Sequence, residues 1–486
     1  MKTIILIHEP NELDYALKTY PPSSINTYCA LTPQSMAMCE KREISFTVLE
    51  DYDIYSETEL MKEKVHDDVL RTIDIGDRVL KSYYSSNNII DNYISPFRAS
   101  IHRLSVLIGG SRLRLYYLNR MFTSTQAEKV VWFGKPARVL SYYDSNNAFS
   151  LDGSIEIALL KFNNWPNLKM EDLSVDFKDK KQPIIQNIRE GKALKTIINK
   201  LIKKIFPNKI ISWLKVIKVC RLSFIKLILP LHKNILVEST SPLILRLIPS
   251  LINKGFRIYL SKDYYPFMNE WKSVKNPELV DNLHKSFYEH KIFRWNEVDW
   301  TNFLFPLIAY LGSLAKPLAA ISRKTESHIQ NNNIGCILTI GAHRAHIYAL
   351  LIGAKRAGAK IITWQHGAYG AYGDRYMVYD DIDISDYHIC PGPGDAELHI
   401  KNNHLYAEKC KPLGFVNSDY NISRNNTKRE LNTKNKKEMM KNIIYVTTLY
   451  YGNSGNFLQY ENNIWKDSVI YKNQKMILAY LIKIQL

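Results

Sequence analysis

Residues 335–364 read as a strand, a helix and a second strand, and the second strand stops at Gln-His-Gly. Gly335-Cys336-Ile337-Leu338-Thr339-Ile340-Gly341 is a short apolar run bounded by glycines. Residues 342–358 carry Ala345, Ala349, Leu350 and Ala354 at helical spacing, with Gly358 as the stop. Ile361 and Ile362 then resume an apolar strand. A β-α-β unit of about 30 residues commits this part of the chain to a Rossmann-like sheet. Tyr387-His388-Ile389-Cys390 supplies another strand, ending in Pro391-Gly392-Pro393-Gly394. Asp395 and Glu397 open the following helix, where the dipole favours acidic groups.

Three strand ends, near Gly341, His366 and Gly392, are expected to point at one crevice, and ligands of open α/β sheets bind outside the carboxyl ends of strands. His366 is the candidate catalytic residue, with an ordinary strand-to-loop exit as the alternative. The unperturbed pKa of an imidazole lies close to working pH. Gln365 and Gly367 flank it, the glycine permitting close approach of a ligand to the backbone. His343, Arg344 and His346 follow Gly341 at a helix start, where backbone N–H groups and positive side chains suit an anion; a solvated first turn is the alternative. Gly392 and Gly394 form the glycine- and proline-rich exit of the next strand. Glu9, beside His8 after the apolar run Thr3-Ile4-Ile5-Leu6-Ile7, is an acidic candidate for catalysis ranked after His366.

Residues 336–419 resemble the first domain of the GT-B-type glycosyltransferases of bacterial surface-polysaccharide synthesis, and are similar to the related glycerophosphotransferases of teichoic acid synthesis; the resemblance implies that the second domain carries most of the nucleotide-sugar contacts. The resemblance rests on Gln365-His366-Gly367, on 390–394, and on Gly414-Phe415-Val416-Asn417-Ser418-Asp419. It covers under a fifth of the chain, and the order of elements is more specific than any single tripeptide. It implies a metal-independent transfer of sugar from a nucleotide-sugar donor to a lipid-linked or oligosaccharide acceptor of a capsule or lipopolysaccharide, without a cofactor. His366 would be the general base or a phosphate hydrogen-bond donor, while helix dipoles and basic groups stabilise the departing diphosphate. A CDP-glycerol-type glycerophosphotransferase is the alternative enzyme, and a non-catalytic membrane-associated remnant or scaffold is the alternative to an enzyme. The GxGxxG and P-loop patterns are absent from the sequence, which argues against nicotinamide enzymes and P-loop kinases.

The formal net charge of +18 is unevenly spread. Between Glu190 and Glu238 no acidic residue occurs. Lys203, Lys204, Lys215, Lys218 and Arg221 are interleaved there with apolar residues that include Trp213 and Phe224. Two cationic amphipathic helices, broken near Pro207 and stopped near Pro230, suit an anionic bilayer surface; helices packed on the sheet with solvated lysines are the alternative. No nucleic-acid motif accompanies the charge, so a nucleic-acid partner is not expected. No apolar run of 18 residues free of charge appears, and the expected location is the cytoplasm, peripheral to the inner membrane. Six cysteines without C-x-x-C spacing read as reduced thiols and argue against a zinc site. Asp381-Ile382-Asp383 matches the D-x-D of metal-dependent transferases, but it lies in an acidic loop before a strand, and no metal is assigned to it.

The organisation follows from these marks. The expected architecture is α/β, Rossmann-like and GT-B, with an N-terminal domain over 1–417 that carries helical insertions, the cationic one at about 190–233. Residues 1–55 read β-α-β-α-β, with Thr32 as a helix cap. Residues 57–122 and 277–330 read as helical, 242–254 as a helix, and 129–133, 138–142, 155–162, 234–237 and 257–260 as strands. Residues 418–440 form a polar linker. Residues 441–486 are expected to open a C-terminal Rossmann-like domain, incomplete at that length. The rival reading docks 441–486 back on the first sheet.

Overall fold

The computed structural model describes residues 1–86, 94–141, 150–162, 165, 167–174, 233–238, 244, 247–261, 276–295, 298–342, 344–365, 378–402, 407–414 and 471–479. Its first half contains β1 (Thr3–Ile7), α1 (Pro10–Thr19), β2 (Asn26–Ala30), α2 (Pro33–Lys41), β3 (Phe46–Thr47) and two long helices, α3 (Tyr55–Ser86) and α4 (Ile101–Thr125). After these come β4 (Lys129–Trp132), the antiparallel pair β5 (Arg138–Ser141) and β6 (Ser150–Asp152), α5 (Ile155–Lys161) and β7 (Lys169–Asp172). The main sheet has the order β3-β2-β1-β4-β7, parallel throughout.

β1 is apolar at every position after its first threonine because the sheet is covered on both faces. Successive side chains point to opposite faces. Ile4 and Leu6 accordingly enter the core shared with α3 and α4, while Ile5 and Ile7 enter a second core with Leu13, Met36 and Phe133. Thr32 caps α2 as expected, its Oγ1 accepting from the Ser35 N–H at 3.1 Å.

The second half contains β8 (Lys233–Val237), α6 (Ile248–Asn253), β9 (Phe256–Leu260), α7 (Pro277–Glu289), the short pair β10 (Arg294–Trp295) and β11 (Val298–Asp299), α8 (Thr301–Ser313) and α9 (Ala315–Asn331). Then come β12 (Ile334–Thr339), α10 (Ala345–Arg356), β13 (Lys360–Trp364), a π-helical turn at Tyr379–Asp383, β14 (Tyr387–Cys390), α11 (Pro393–Asn402) and β15 (Cys410–Pro412). Its sheet runs β15-β14-β13-β12-β8-β9, again parallel throughout. α9 and α10 approach closely at Gly353, where a Cβ would meet the Ser322 carbonyl oxygen at 2.2 Å.

The chain is thus α/β with two parallel, helix-flanked sheets, compatible with a Rossmann-like fold. Strand order reverses between β1 and β4 in the first sheet and between β8 and β12 in the second, which gives each sheet a switch point. The range 1–417, expected to hold one Rossmann-like domain, therefore holds two such sheets. Both halves contribute to one large core: Leu6 and Trp132 belong to it from the first sheet, Ile337 and Ile361 from the second.

Local differences from expectation have physical causes. Residues 155–162, an apolar run expected as a strand, form α5. Ser154 caps that helix by accepting from the Ile157 N–H at 3.2 Å, and Glu156 sits in the first turn. A continuous apolar run has no period of its own, so the cap decides. Of the strand expected over 138–142, Arg138–Ser141 forms β5, one arm of the separate β5–β6 pair. Of the helix expected over 242–254, α6 occupies Ile248–Asn253. The linker 418–440, the cationic stretch from 190 to 232 and residues 441–470 lie outside the described residues. Helix 471–479 sits on the first half: the Tyr471 hydroxyl donates to Glu40 at 2.6 Å, and the Lys475 ammonium donates to the same carboxylate at 2.7 Å.

Candidate active site

β8, β12, β13 and β14 run parallel, so their carboxyl ends share one edge of the second sheet. The switch point between β8 and β12 opens there. At this edge Glu238 follows β8 directly; its N–H donates to the Leu338 carbonyl at 2.9 Å and the residue is 1% exposed. Beside it β12 ends in Thr339, whose Oγ1 accepts from the Gly341 N–H at 3.3 Å and lies 3.2 Å from the Gly341 carbonyl. Gly341 has φ +133°, a backbone conformation that a side chain disfavours.

Arg344 occupies the N-cap position of α10 in extended conformation and makes no side-chain cap bond. The amino end of a twelve-residue helix thus faces the turn with first-turn N–H groups and partial positive charge, as an anion site requires. His346, expected beside Arg344 in that site, is buried at 3% exposure. Its position in the first turn falls on the inward face with Ala345 and Ala349, so the helix packs it instead of presenting it to solvent.

Gln365 is 2% exposed; its N–H donates to the Ile389 carbonyl at 3.0 Å and its Oε1 lies 3.1 Å from His399 Nε2 on α11. The side chain expected to orient an acceptor is therefore engaged with α11, and it fixes where the chain leaves β13. Burial pushes the His399 pKa below its ordinary value, against the opposite pull of Asp395, so the ring is neutral. At the end of β14, a Cβ on Gly392 or Gly394 would meet nothing within 4 Å. Packing does not demand glycine at either position, and the space beside them is open. His343, His366 and Gly367 lie outside the described residues.

The structure brings Gly341, Arg344, Gln365, Gly392 and Gly394 to one edge. Glu9 belongs to the other sheet, after β1, where its carboxylate is 3.4 Å from His8 Nδ1 and 60% exposed. The D-x-D pair is occupied structurally. Asp383 accepts from Arg98 at 3.1 Å, the Arg98 guanidinium lies over the Tyr379 ring at 4.4 Å, and Asp381 is buried at 4%. Glu238 and His399 are site residues that sequence reasoning missed. The signal for Glu238 was present, a carboxylate directly behind a predicted strand; for His399 only the fold reveals the contact. A separate surface cavity of about 440 Å³ lies between α3 and α7, lined by Arg78, Tyr83, Glu278 and Asn282, away from both switch points.

No family model, curated protein or solved structure matches the chain. One helical stretch, Thr301–Asn331, has the length and apolar character of a membrane span; 56% of its most apolar window is buried within the protein. It comprises α8 and α9, whose inward faces feed the shared core.

Proposed function

We propose that the protein is a GT-B-type glycosyltransferase that moves a sugar from a nucleotide-sugar donor to a bacterial surface glycan, without a metal in the transfer step. The observation that carries this reading is the carboxyl edge of the second sheet, where a switch point, a left-handed glycine, an uncapped helix start and a basic residue converge. A diphosphate suits the amino end of α10 beside Arg344, and the open space at Gly392 and Gly394 leaves room for the rest of a donor. His366, one residue beyond Gln365, is the proposed base. The donor is assigned to the second half on the geometry of this edge alone, whereas the resemblance puts most donor contacts in the domain expected to open at 441. The acceptor would be lipid-linked or an oligosaccharide, approached at the inner face of the membrane with the cationic stretch 190–233 against anionic lipid.

The test is a panel of UDP-sugars, CMP-sugars and CDP-glycerol, measured for binding and for release of the nucleotide product. Saturable binding of a nucleotide sugar, weakened at least tenfold in Arg344→Ala, is expected. Preference for CDP-glycerol moves the assignment to phosphoglycerol transfer. Failure of the whole panel to bind would sink the reading.

A further inference from the structure

A second constellation lies behind this edge and meets it through the contact of His399 with Gln365. His388 and Cys390 are two residues apart on β14 and so project from the same face. In the parallel pairing of β14 with β15, Cys410 is the partner of His388, which puts its side chain on that face too. α11 crosses the same face and contributes His399, its ring 5.4 Å from that of His388. Ligand atoms of His388, Cys390 and His399 all lie within 4.8 Å of one another, and the three residues are 1%, 0% and 3% exposed. Cys410 is buried as well and packs with Cys390 in one cluster between β14, β15 and α11.

The surrounding hydrogen bonds orient both rings. The Thr363 hydroxyl donates its one proton to the Asp381 carbonyl at 2.7 Å, so at 2.8 Å it accepts from His388 Nδ1–H, and the ring's lone pair is on Nε2. His399 Nε2–H donates to Gln365 Oε1 at 3.1 Å, which leaves the lone pair on Nδ1. A hydroxyl and a carboxamide oxygen holding the far nitrogens of two histidines are the outer partners that metal-binding imidazoles use. Two imidazoles and two thiols form a soft donor set that suits Zn²⁺ and has no carboxylate for Mg²⁺ or Ca²⁺. The charge also balances: two thiolates neutralise a divalent ion, a requirement in a site with no solvent.

We infer that His388, Cys390, His399 and Cys410 bind one zinc-class divalent cation that pins β14, β15 and α11 together. Binding forms two metal–nitrogen and two metal–sulfur bonds and releases the two thiol protons to solvent. Bonds of about 2.0–2.3 Å draw the donor atoms of His388, Cys390 and His399 inward from their present spacing by roughly 1 Å, and rotation of the Cys410 side chain closes the fourth position. Four protein ligands close the coordination sphere, so the role is structural. Through His399 and Gln365 the ion would fix the exit of β13 towards 366. The absence of C-x-x-C spacing is no obstacle, since three separate elements supply the ligands.

The full chain, expressed with zinc in the medium and purified without a histidine tag, should carry about one zinc per molecule by mass spectrometry of the metal. Exchange with Co²⁺ should give thiolate-to-cobalt charge transfer together with the intense visible bands of a tetrahedral site. Cys390→Ser and His399→Gln should each lose the metal, while Cys29→Ser and Cys336→Ser, at cysteines outside the cluster, should keep it. Wild-type protein with neither zinc nor a cobalt–thiolate band would overturn the proposal, as would full metal content in both cluster variants. The wild-type measurements decide even where a cluster variant does not fold, and they do not depend on any transferase assay.

Discussion

The two parallel sheets treat their carboxyl edges differently. In the first, neighbouring side chains take up the polar groups where strands end. The His8 N–H donates to Glu12 at 2.8 Å, the Thr32 hydroxyl donates to the His8 carbonyl at 2.7 Å, and buried Glu12 closes the space beside Gly134, where a Cβ would meet its Oε1 at 2.8 Å. In the second, the turn after β12 is made by a left-handed glycine, and Gly392 and Gly394 face open space; a start without a side-chain cap is common to α1 and α10. The open space and glycine turn of the second edge are the features on which the proposed donor site rests.

The largest expected effect divides the two edges by activity. His366→Ala should lower transfer by about 10²–10⁴-fold, the usual contribution of a positioned general base. Glu9→Gln, on the first edge, should leave transfer within about twofold of wild type, because its carboxylate is exposed and paired with His8. Steady-state rates with the preferred donor, on variants whose circular dichroism matches wild type, make the comparison. The reverse pattern would move the active site to the first sheet.

Stability should divide them the other way. Behind the first edge, Arg114 on α4 donates to Glu156 on α5 at 2.7 Å, and Ser154 donates to the same carboxylate at 2.7 Å; both charged side chains are under a tenth exposed. Glu156→Ala strands the guanidinium and should cost about 3–5 kcal/mol in chemical denaturation. Gly341→Ala, on the second edge, should cost only about 1–2 kcal/mol, from the positive φ. Gly392→Ala meets no neighbour and should leave stability unchanged while weakening donor binding about tenfold, since a methyl group would enter the space assigned to the donor. An unweakened Gly392→Ala would show that the donor lies elsewhere along the edge.

Much of this comparison was legible in the chain. The apolar runs at Ile4–Leu6 and Ile361–Ile362, the helical spacing after Gly341 and the Thr32 cap each state a local preference that the fold keeps. What periodicity does not encode is which strands share a sheet. β1 and β8 are both short apolar strands, and only their partners, chosen by packing of α3, α4 and α7 to α9, separate one sheet from the other. The site divides similarly. The places of Gly341, Arg344 and Gly392 just beyond strand ends were readable from the apolar runs before them. The inward turn of His346, the bond from His399 to Gln365 and the His–Cys cluster were not, because each depends on how a helix rotates onto its sheet.

The smallest effect concerns acid. Each sheet has a lateral tie with a carboxylate held below its ordinary pKa. In the first, Glu171 on β7 is lowered by hydrogen bonds from Lys129 on β4 and from Tyr20. In the second, burial alone would raise Asp386, but the Ile361 N–H at 2.9 Å and the Lys360 ammonium at 3.1 Å bring it below its ordinary value. A depressed carboxylate adds stability that is complete above its unfolded pKa and fades as pH falls towards the folded one. The tie in the first sheet should therefore begin to weaken below 4.5 and that in the second only below 3.8. Both groups are partly solvated, at 34% and 25% side-chain exposure, so each loss should shift Tm by at most a few degrees. Melting curves between about pH 6 and pH 3 provide the check. Glu171→Gln should flatten the upper part of the decline and Asp386→Asn the lower part. Identical flattening by both would mean that the two carboxylates titrate over one range, against the order set by their ordinary values.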